Sequence, residues 1–177
     1  MTPGVYAHFR TSEGEFTARL FDADAPNTVA NFVGLAEGTK EWTDPRNSRR
    51  VKTPYYDGTI FHRVIAGFMI QGGDPLGQGT GGPGFTFADE FTPTRRHDRA
   101  GVLSMANRGP NTNGGQFFIV FKKTELPDPT GYSIFGRVTQ GMDIVDRIAE
   151  QGTGGTIGPE APKQPISILD VTVEKAA

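Results

Sequence analysis

The stretch Phe61–Asp74, which reads FHRVIAGFMIQGGD, constrains the fold more than any other part of the sequence. Apolar side chains dominate it, but Gly67 interrupts the run and two further glycines end it, so it is too short and broken for an ordinary helix. We therefore predict two strands joined at a bend. Arg63 and the neutral amide of Gln71 lie among these apolar residues. Because a guanidinium stays charged, Arg63 needs polar partners or must point into a cleft.

Alternating apolar and polar residues predict further strands. Residues 5–10 and 15–20 alternate on either side of a short turn, which indicates an antiparallel hairpin with one buried face. A helix is predicted from Asp24 or Ala25, with Pro26 at an early helical position, to a stop at Gly38. A second helix is predicted over 140–150, where apolar residues recur at helical spacing. Further strands are predicted at 102–105, 116–121, 132–138 and 166–173, the last with Leu169, Val171 and Val173 on one face.

About eight strands and two helices, with no βαβ rhythm, predict a mainly all-β fold. We expect a closed eight-stranded antiparallel barrel capped by the two helices, because closure removes exposed strand edges. A chain of 177 residues suffices for a single domain, which we expect to span residues 1–177. The polar, basic stretch 39–56 is predicted to be a solvated loop, with a patch that binds a partner or phosphate as the alternative. The stretch 77–84 is predicted to be a glycine-rich surface loop.

The composition excludes several kinds of chemistry and partner. There is no cysteine, which rules out disulfides, thiolate nucleophiles and cysteine-bound zinc. A net charge of −2 gives no overall attraction to nucleic acid or to an anionic membrane. The N-terminus lacks the pattern of a signal peptide, and no apolar run approaches the roughly 18 residues that span a bilayer. We therefore expect a cytoplasmic protein with no nucleic-acid or membrane partner.

The remaining side chains suit a reaction that breaks no covalent bond. No serine sits in a nucleophile elbow, and no histidine pair or carboxylate cluster suggests a metal site, so we expect neither metal nor cofactor. His62 is predicted to be a hydrogen-bonded structural histidine, with a role in the site as the alternative. An apolar site with one arginine fits rotation about an X–Pro bond, whose barrier is about 18–20 kcal/mol. A guanidinium that hydrogen-bonds the prolyl nitrogen would stabilise the twisted transition state more than the planar ground state.

Three stretches together resemble the cyclophilins, a family of peptidyl-prolyl cis-trans isomerases: 61–74, GVLSMANRGPNTNGGQFFI at 101–119, and FGRV at 135–138. The likeness covers nearly the whole chain and implies an eight-stranded barrel with two helices and an active groove on its outer face. It implies that Arg63 is the catalytic arginine and that Gln71 bonds the substrate backbone and steadies Arg63. The other implied groove residues are Phe68, Met69 and Phe118 as walls of the proline pocket, Ala106 and Asn107 as the segment whose backbone pairs with substrate, and Gln116.

The sequence departs from the family pattern at two positions of the groove. Leu126 follows Lys-Thr-Glu where many cyclophilins have tryptophan, and Tyr132 aligns where those members have histidine. The only tryptophan, Trp42, lies elsewhere. We expect Leu126 and Tyr132 to complete the apolar wall, so that prolyl isomerisation survives while affinity for cyclosporin, the family inhibitor, is reduced.

The expected partners are unfolded or flexible polypeptides that contain proline, and the expected oligomeric state is a monomer that assists folding. The sequence is compatible with two alternatives. One is a non-catalytic proline-peptide binder or holdase chaperone on the same barrel, although binding alone would not need Arg63 and Gln71. The other is a barrel that encloses a small apolar ligand, which the many large side chains disfavour because they would fill its interior.

Overall fold

The computed structural model describes residues 2–65, 67–124, 126, 130–151, 153–155 and 158–177, without the side chains of 152–159. Strands dominate these residues, and two helices accompany them. In chain order the elements are β1 (Gly4–Thr11), β2 (Gly14–Leu20), α1 (Pro26–Glu37), β3 (Trp42–Asp44), β4 (Arg49–Val51), β5 (Arg63–Ile65), β6 (Met69–Gly72), β7 (Val102–Met105), β8 (Phe117–Val120), β9 (Ile134–Gln140), α2 (Met142–Ala149), β10 (Thr153–Gly155), β11 (Gly158–Pro162) and β12 (Ile168–Ala176).

Eight of the strands form one antiparallel sheet in the order β12-β1-β2-β9-β7-β8-β6-β5. The predicted antiparallel architecture with two helices is therefore confirmed, but "closed" overstates it. Within the described residues, no ladder joins the edge strands β5 and β12; isolated bonds link the loop before β5 to the region that enters β12. Phe61 N donates to Ile166 O at 3.0 Å, and Ile168 N donates to Thr59 O at 2.7 Å. The sheet is thus a strongly curled half-barrel.

Helix α1 ends at Gly38, which has the left-handed φ of 76° that favours glycine. Its other end begins as predicted, with Ala25 before Pro26, but Ala25 supplies no side-chain cap. The carboxylate of Glu90, distant in sequence, accepts from the backbone N–H groups of Asn27 at 3.1 Å and Thr28 at 2.5 Å. It also accepts from the Thr28 hydroxyl at 2.6 Å. A remote carboxylate therefore caps this helix.

Aromatic side chains fill the inside of the curled sheet. Phe9 stacks on Phe16 with 4.6 Å between ring centroids, and Phe32 meets the edge of Phe117 at 5.9 Å. Phe135 packs on the same group, at 5.2 Å from Phe32. These rings are all almost inaccessible to water. A filled interior counts against the alternative of an enclosed apolar ligand.

The prediction of a solvated loop over 39–56 is wrong in part. The stretch contains the two-stranded hairpin β3–β4, and Trp42 is only 3% exposed. The indole N–H donates to Thr53 O at 2.7 Å, and the ring meets Tyr55 edge-on at 4.9 Å. Burial of these aromatic rings anchors a hairpin whose other strand, Arg49–Val51, is largely exposed.

Leu169 also departs from the prediction, which placed it on one face with Val171 and Val173. Arg10 pairs with Asp170, but the next residue, Thr11, pairs with Ile168, so a β-bulge leaves Leu169 without a partner. Leu169 is consequently 43% exposed, while Val171 is buried. Period-two alternation fails at a bulge because the extra residue reverses the face.

Candidate active site

One row of directly opposed residues carries the predicted site across three neighbouring strands. Arg63 in β5 lies opposite Gln71 in β6, and Gln71 lies opposite Phe118 in β8. Opposed residues in a sheet project from the same face. With strands about 4.8 Å apart, the backbones of Arg63 and Phe118 are about 10 Å apart. The arginine and the aromatic ring thus flank Gln71 on the outer face.

A relay of side-chain hydrogen bonds fixes the arginine. Arg63 Nη1 donates to Gln71 Oε1 at 3.3 Å, and Gln71 Nε2 donates to Gln116 Oε1 at 3.1 Å. Gln116 Nε2 donates in turn to the carbonyls of Gly79 and Gly81 at 3.0 and 2.8 Å. Each amide is oriented by the next one, so the loop carbonyls set the direction of the whole relay. Because the acceptors are neutral, the relay positions the guanidinium without cancelling its charge.

Glu160 in β11 is a second partner of Arg63 that sequence reasoning missed. Its Oε1 lies 3.4 Å from Arg63 Nε, and the two side chains are 51% and 43% exposed. An exposed ion pair of this kind is worth at most about 1 kcal/mol, so Glu160 restrains Arg63 weakly. No pattern marked it, because it lies in a glycine- and proline-rich stretch far along the chain.

The predicted apolar wall forms a single cluster on the outer face of the sheet. Met69 and Phe118 are buried, and the half-buried side chains of Phe68, Leu126 and Tyr132 pack against them. Phe118 lies 6.4 Å from Phe68 and 5.3 Å from Tyr132 between ring centroids, the latter pair nearly perpendicular. The edge-to-face arrangement of Phe118 and Tyr132 is favourable at this separation and stabilises the wall.

His97 is a further member of this wall that the sequence analysis did not select. Its ring stacks on Phe118 at 5.7 Å and meets the edge of Tyr132 at 6.2 Å. It lies in the irregular segment before β7, where neither periodicity nor turn chemistry marks a functional residue. The structure alone brings it to the pocket.

Ala106 and Asn107, which follow β7, border the same face. The backbone N–H of Ala106 is already used, since it donates to Gln116 O at 3.1 Å. The side chain of Asn107 joins two loops: Nδ2 donates to Gly131 O at 2.6 Å, and Oδ1 accepts from Gly109 N at 3.2 Å. Among the described residues, no hydrogen-bond partner of the Ala106 carbonyl or of the Asn107 backbone occurs, so these groups are left for a ligand.

An open cavity of about 600 Å³ adjoins the relay and is bordered by Gln71, Ala106, Asn107, Gln116 and the glycine-rich stretch 79–86. Most of this stretch belongs to 77–84, which was predicted to be a surface loop and which also forms part of the wall of this cavity.

Asp74, fully buried at the end of the central stretch, holds this loop in place. Its carboxylate accepts from the backbone N–H groups of Leu76, Gln78, Gly79 and Gly81 at 2.7–3.1 Å.

Near the site, the described residues offer few side chains for acid–base or metal chemistry. His62, beside Arg63, is buried, and this burial lowers its pKa. Among the described residues, no group of three or more metal-binding side chains occurs. Neither of the described helices has the length and apolar character needed to cross a membrane.

The curled antiparallel sheet carries a guanidinium beside an aromatic notch on its outer face. Residues 6–173 match the family model described as "Cyclophilin type peptidyl-prolyl cis-trans isomerase/CLD". The chain therefore belongs to the cyclophilin-type peptidyl-prolyl cis-trans isomerase family, and the resemblance inferred from its motifs is confirmed.

Relatives of known name cover almost the whole chain. A probable peptidyl-prolyl cis-trans isomerase A of Mycobacterium leprae is 47% identical over 94% of this chain and 91% of its own. Peptidyl-prolyl cis-trans isomerase B of Streptomyces anulatus is 46% identical over 98% of this chain and 99% of its own. The crystal structure of a cyclophilin-type isomerase of Cryptosporidium parvum superposes with a TM-score of 0.80 at 34% identity, and covers 97% of this chain and 98% of its own.

Proposed function

We propose that this protein accelerates rotation about X–Pro bonds in flexible polypeptide segments, and that Arg63 is the group that lowers the barrier. Family membership supports the reaction. The observation that supports the role of Arg63 is its position: a half-exposed guanidinium, held by the Gln71 amide, on the same outer face as the Phe118 wall. A binder would need the wall, but it would not need a cation that is oriented by the Gln71 amide and only weakly paired with Glu160.

The chemistry follows from the electronic structure of the amide. Rotation costs about 18–20 kcal/mol because the planar C–N bond has partial double-bond character. In the twisted state the prolyl nitrogen carries a localised lone pair, which accepts a hydrogen bond far better than the planar amide nitrogen does. Donation from Arg63 therefore stabilises the transition state selectively. Gln71 contributes by holding the guanidinium in the donating orientation.

The other groove residues are proposed to hold the substrate. Phe68, Met69, Phe118, Leu126 and Tyr132 form the socket for the pyrrolidine ring.

The free backbone groups at Ala106 and Asn107 pair with the extended chain, as an added strand would. Gln116 orients Gln71 and borders the adjoining cavity. A further structure of the Cryptosporidium parvum isomerase, determined in the presence of the dipeptide Ala-Pro, supports the choice of a proline-containing ligand.

Several further properties stay predictions. We propose one domain that acts as a monomer in the cytoplasm, without metal or cofactor, and that binds cyclosporin with reduced affinity. The last proposal rests on Leu126, a half-buried aliphatic side chain in the pocket cluster that has no N–H to donate.

Exchange NMR on a short Ala-Pro peptide with catalytic amounts of protein tests the proposal. We expect wild type to accelerate exchange and Arg63→Ala to lower kcat/KM by about 100- to 1,000-fold, as happens when a transition-state donor is removed. Arg63→Lys should fall between them, because it keeps the charge but loses the planar fork. Arg147→Ala, an exposed arginine on α2, is the matched control and should match wild type.

Two results would contradict the proposal. Equal rates for wild type and Arg63→Ala would show that Arg63 does not catalyse the reaction. A wild-type protein that shifts the peptide resonances without accelerating exchange would instead establish the non-catalytic binder.

A further inference from the structure

A second cleft, of about 490 Å³, lies on the outer face of the sheet away from the proline pocket. Its floor is a row of directly opposed residues across four strands. Tyr6 in β1 faces Arg19 in β2, Arg19 faces Arg137 in β9, and Arg137 faces Val102 in β7. Two arginines are thus cross-strand neighbours in the centre of the floor.

This pairing of like charges is unfavourable, because directly opposed cations on one face repel each other. The partners of Arg19 do not relieve it: Arg19 donates to Thr2 Oγ1 at 3.3 Å and to Pro3 O at 3.1 Å, and both acceptors are neutral. Across the described part of the chain, no carboxylate lies within ion-pair distance of Arg19 or Arg137. The floor therefore keeps two uncompensated positive charges.

The wall of the cleft, residues 94–99, adds to this charge. Arg95 lies over the Phe21 ring at 3.7 Å and is paired with Asp24 at 2.7 Å. Arg96 is exposed, and among the described residues no side chain pairs with it. Arg99 is 3.4 Å from Asp98. The lining holds five arginines and three aspartates, an excess of two positive charges in a protein whose net charge is −2.

The cleft and the proline pocket are parts of one surface. Val102 and Ile134 of the cleft belong to the same apolar cluster as Met69 and Phe118 of the pocket. Phe118 faces Ser104, midway between Val102 and Ala106, so the cleft lies on one side of the pocket and the Ala106–Asn107 segment on the other.

Phe118 in β8 and Arg137 in β9 are two strands apart, and their partners in β7, Ser104 and Val102, are two residues apart. The distance between Phe118 and Arg137 is therefore about 12 Å, which about four residues of extended chain can span.

We propose that this cleft binds acidic side chains of the client polypeptide, about four residues from the proline and on one side of it only. The inference rests on the proposed isomerase function. A client chain paired at Ala106–Asn107 on one side of its proline would leave the pocket on the other side towards Arg19 and Arg137. There a glutamate or aspartate would separate the two cations and meet the free guanidinium of Arg96.

A polypeptide suits the cleft better than a nucleic acid. Single-stranded nucleic acids are bound through exposed aromatic platforms as well as cations. Here the Phe21 ring is covered by Arg95, and three aspartates border the cleft and would repel a continuous run of phosphates.

The test compares three Ala-Pro peptides in the exchange assay. The first carries glutamines on both sides, the second has glutamates three to five residues before the proline, and the third has them three to five residues after it. We expect one acidic peptide, and only one, to show a kcat/KM about three- to tenfold above the neutral peptide, the size that one or two exposed charge pairs give. The double variant Arg19→Gln/Arg137→Gln should reduce this ratio to about one.

Arg147→Gln/Lys175→Gln is the matched control, because it removes two exposed positive charges outside the cleft. It should keep the wild-type ratio. An equal gain for both acidic peptides, a gain for neither, or a loss of preference in the control variant would each overturn the proposal. So would binding of a single-stranded oligonucleotide at least as tight as binding of the favoured acidic peptide.

Failure of the inference is distinguishable from failure of the proposed function. If wild type isomerises the neutral peptide but shows no one-sided acidic preference, the isomerase proposal stands and the cleft proposal is wrong. If no peptide is isomerised, both are wrong, because the second depends on the first.

Discussion

Removal of the Glu90 carboxylate, which caps helix α1 from a distant loop, should destabilise the protein more than the loop position of Glu90 suggests. The helix has no cap of its own at Ala25, and Glu90 accepts three hydrogen bonds at its N-terminus. Loss of an N-cap costs typically about 1 kcal/mol. Thr28 is completely buried, so its hydroxyl would lose its partner out of reach of water, at about 1–3 kcal/mol. Glu90→Ala should therefore lower the free energy of unfolding by about 2–4 kcal/mol.

Urea unfolding measures this loss directly, and a thermal melt should show a fall in Tm of about 4–16 °C for a chain of this size. Glu90→Gln keeps an acceptor but loses the negative charge beside the helix dipole, and should cost about 1 kcal/mol. The control is Glu37→Ala, which removes an exposed carboxylate at the other end of the same helix and should change stability by less than about 0.5 kcal/mol.

A double-mutant cycle with Thr28→Val separates the cap from other effects of residue 90. If Glu90 bonds the Thr28 hydroxyl, removal of both partners should cost clearly less than the sum of the single changes, with a coupling of at least about 0.5 kcal/mol. Strict additivity, or a loss for Glu90→Ala no larger than that for Glu37→Ala, would refute the remote cap.

Two further predictions concern pH and the inhibitor. Burial lowers the pKa of His62 from its usual 6.5, so the unfolded chain takes up this proton at a higher pH than the folded protein. Stability should therefore fall as pH drops through 6.5 and below, and urea melts should show a larger loss between about pH 7.5 and 5.5 for wild type than for His62→Gln; equal losses would contradict this. Leu126→Trp should restore an indole donor to the pocket and tighten inhibition by cyclosporin, measured on the Ala-Pro peptide; equally tight inhibition of wild type would show that Leu126 costs no affinity.

Local patterns predicted most of the fold, because most elements obey a single periodicity. The first hairpin, the split central stretch and both helices have the expected kinds of residue at the expected spacing. The failures occur where a distant contact overrides the pattern. The hairpin β3–β4 depends on the burial of Trp42 against Tyr55, and Leu169 is exposed because a bulge interrupts its strand.

The candidate site also has residues that the sequence could predict and residues that it could not. Arg63 and Gln71 share one contiguous motif, so the sequence could place them together. Glu160 and His97 reach the groove only through the tertiary fold, because Glu160 lies in a glycine- and proline-rich stretch and His97 in the irregular segment before β7. The arginine cleft was equally hidden, since Arg19 and Arg137 become neighbours only when β2 pairs with β9.

Strand register is what connects the packed interior to the outer groove. Phe117 and Phe118 are adjacent in β8, yet Phe117 belongs to the interior cluster and Phe118 to the outer one. A slip of one residue against β6 would exchange the two rings and place Phe117 opposite Gln71. The slip would also carry Ile119 out of the interior cluster, so the packing of β8 itself specifies this register. Gln116, which immediately precedes β8, donates to the carbonyls of Gly79 and Gly81 in the loop that Asp74 holds, and a slip of β8 against β6 would also break these two hydrogen bonds.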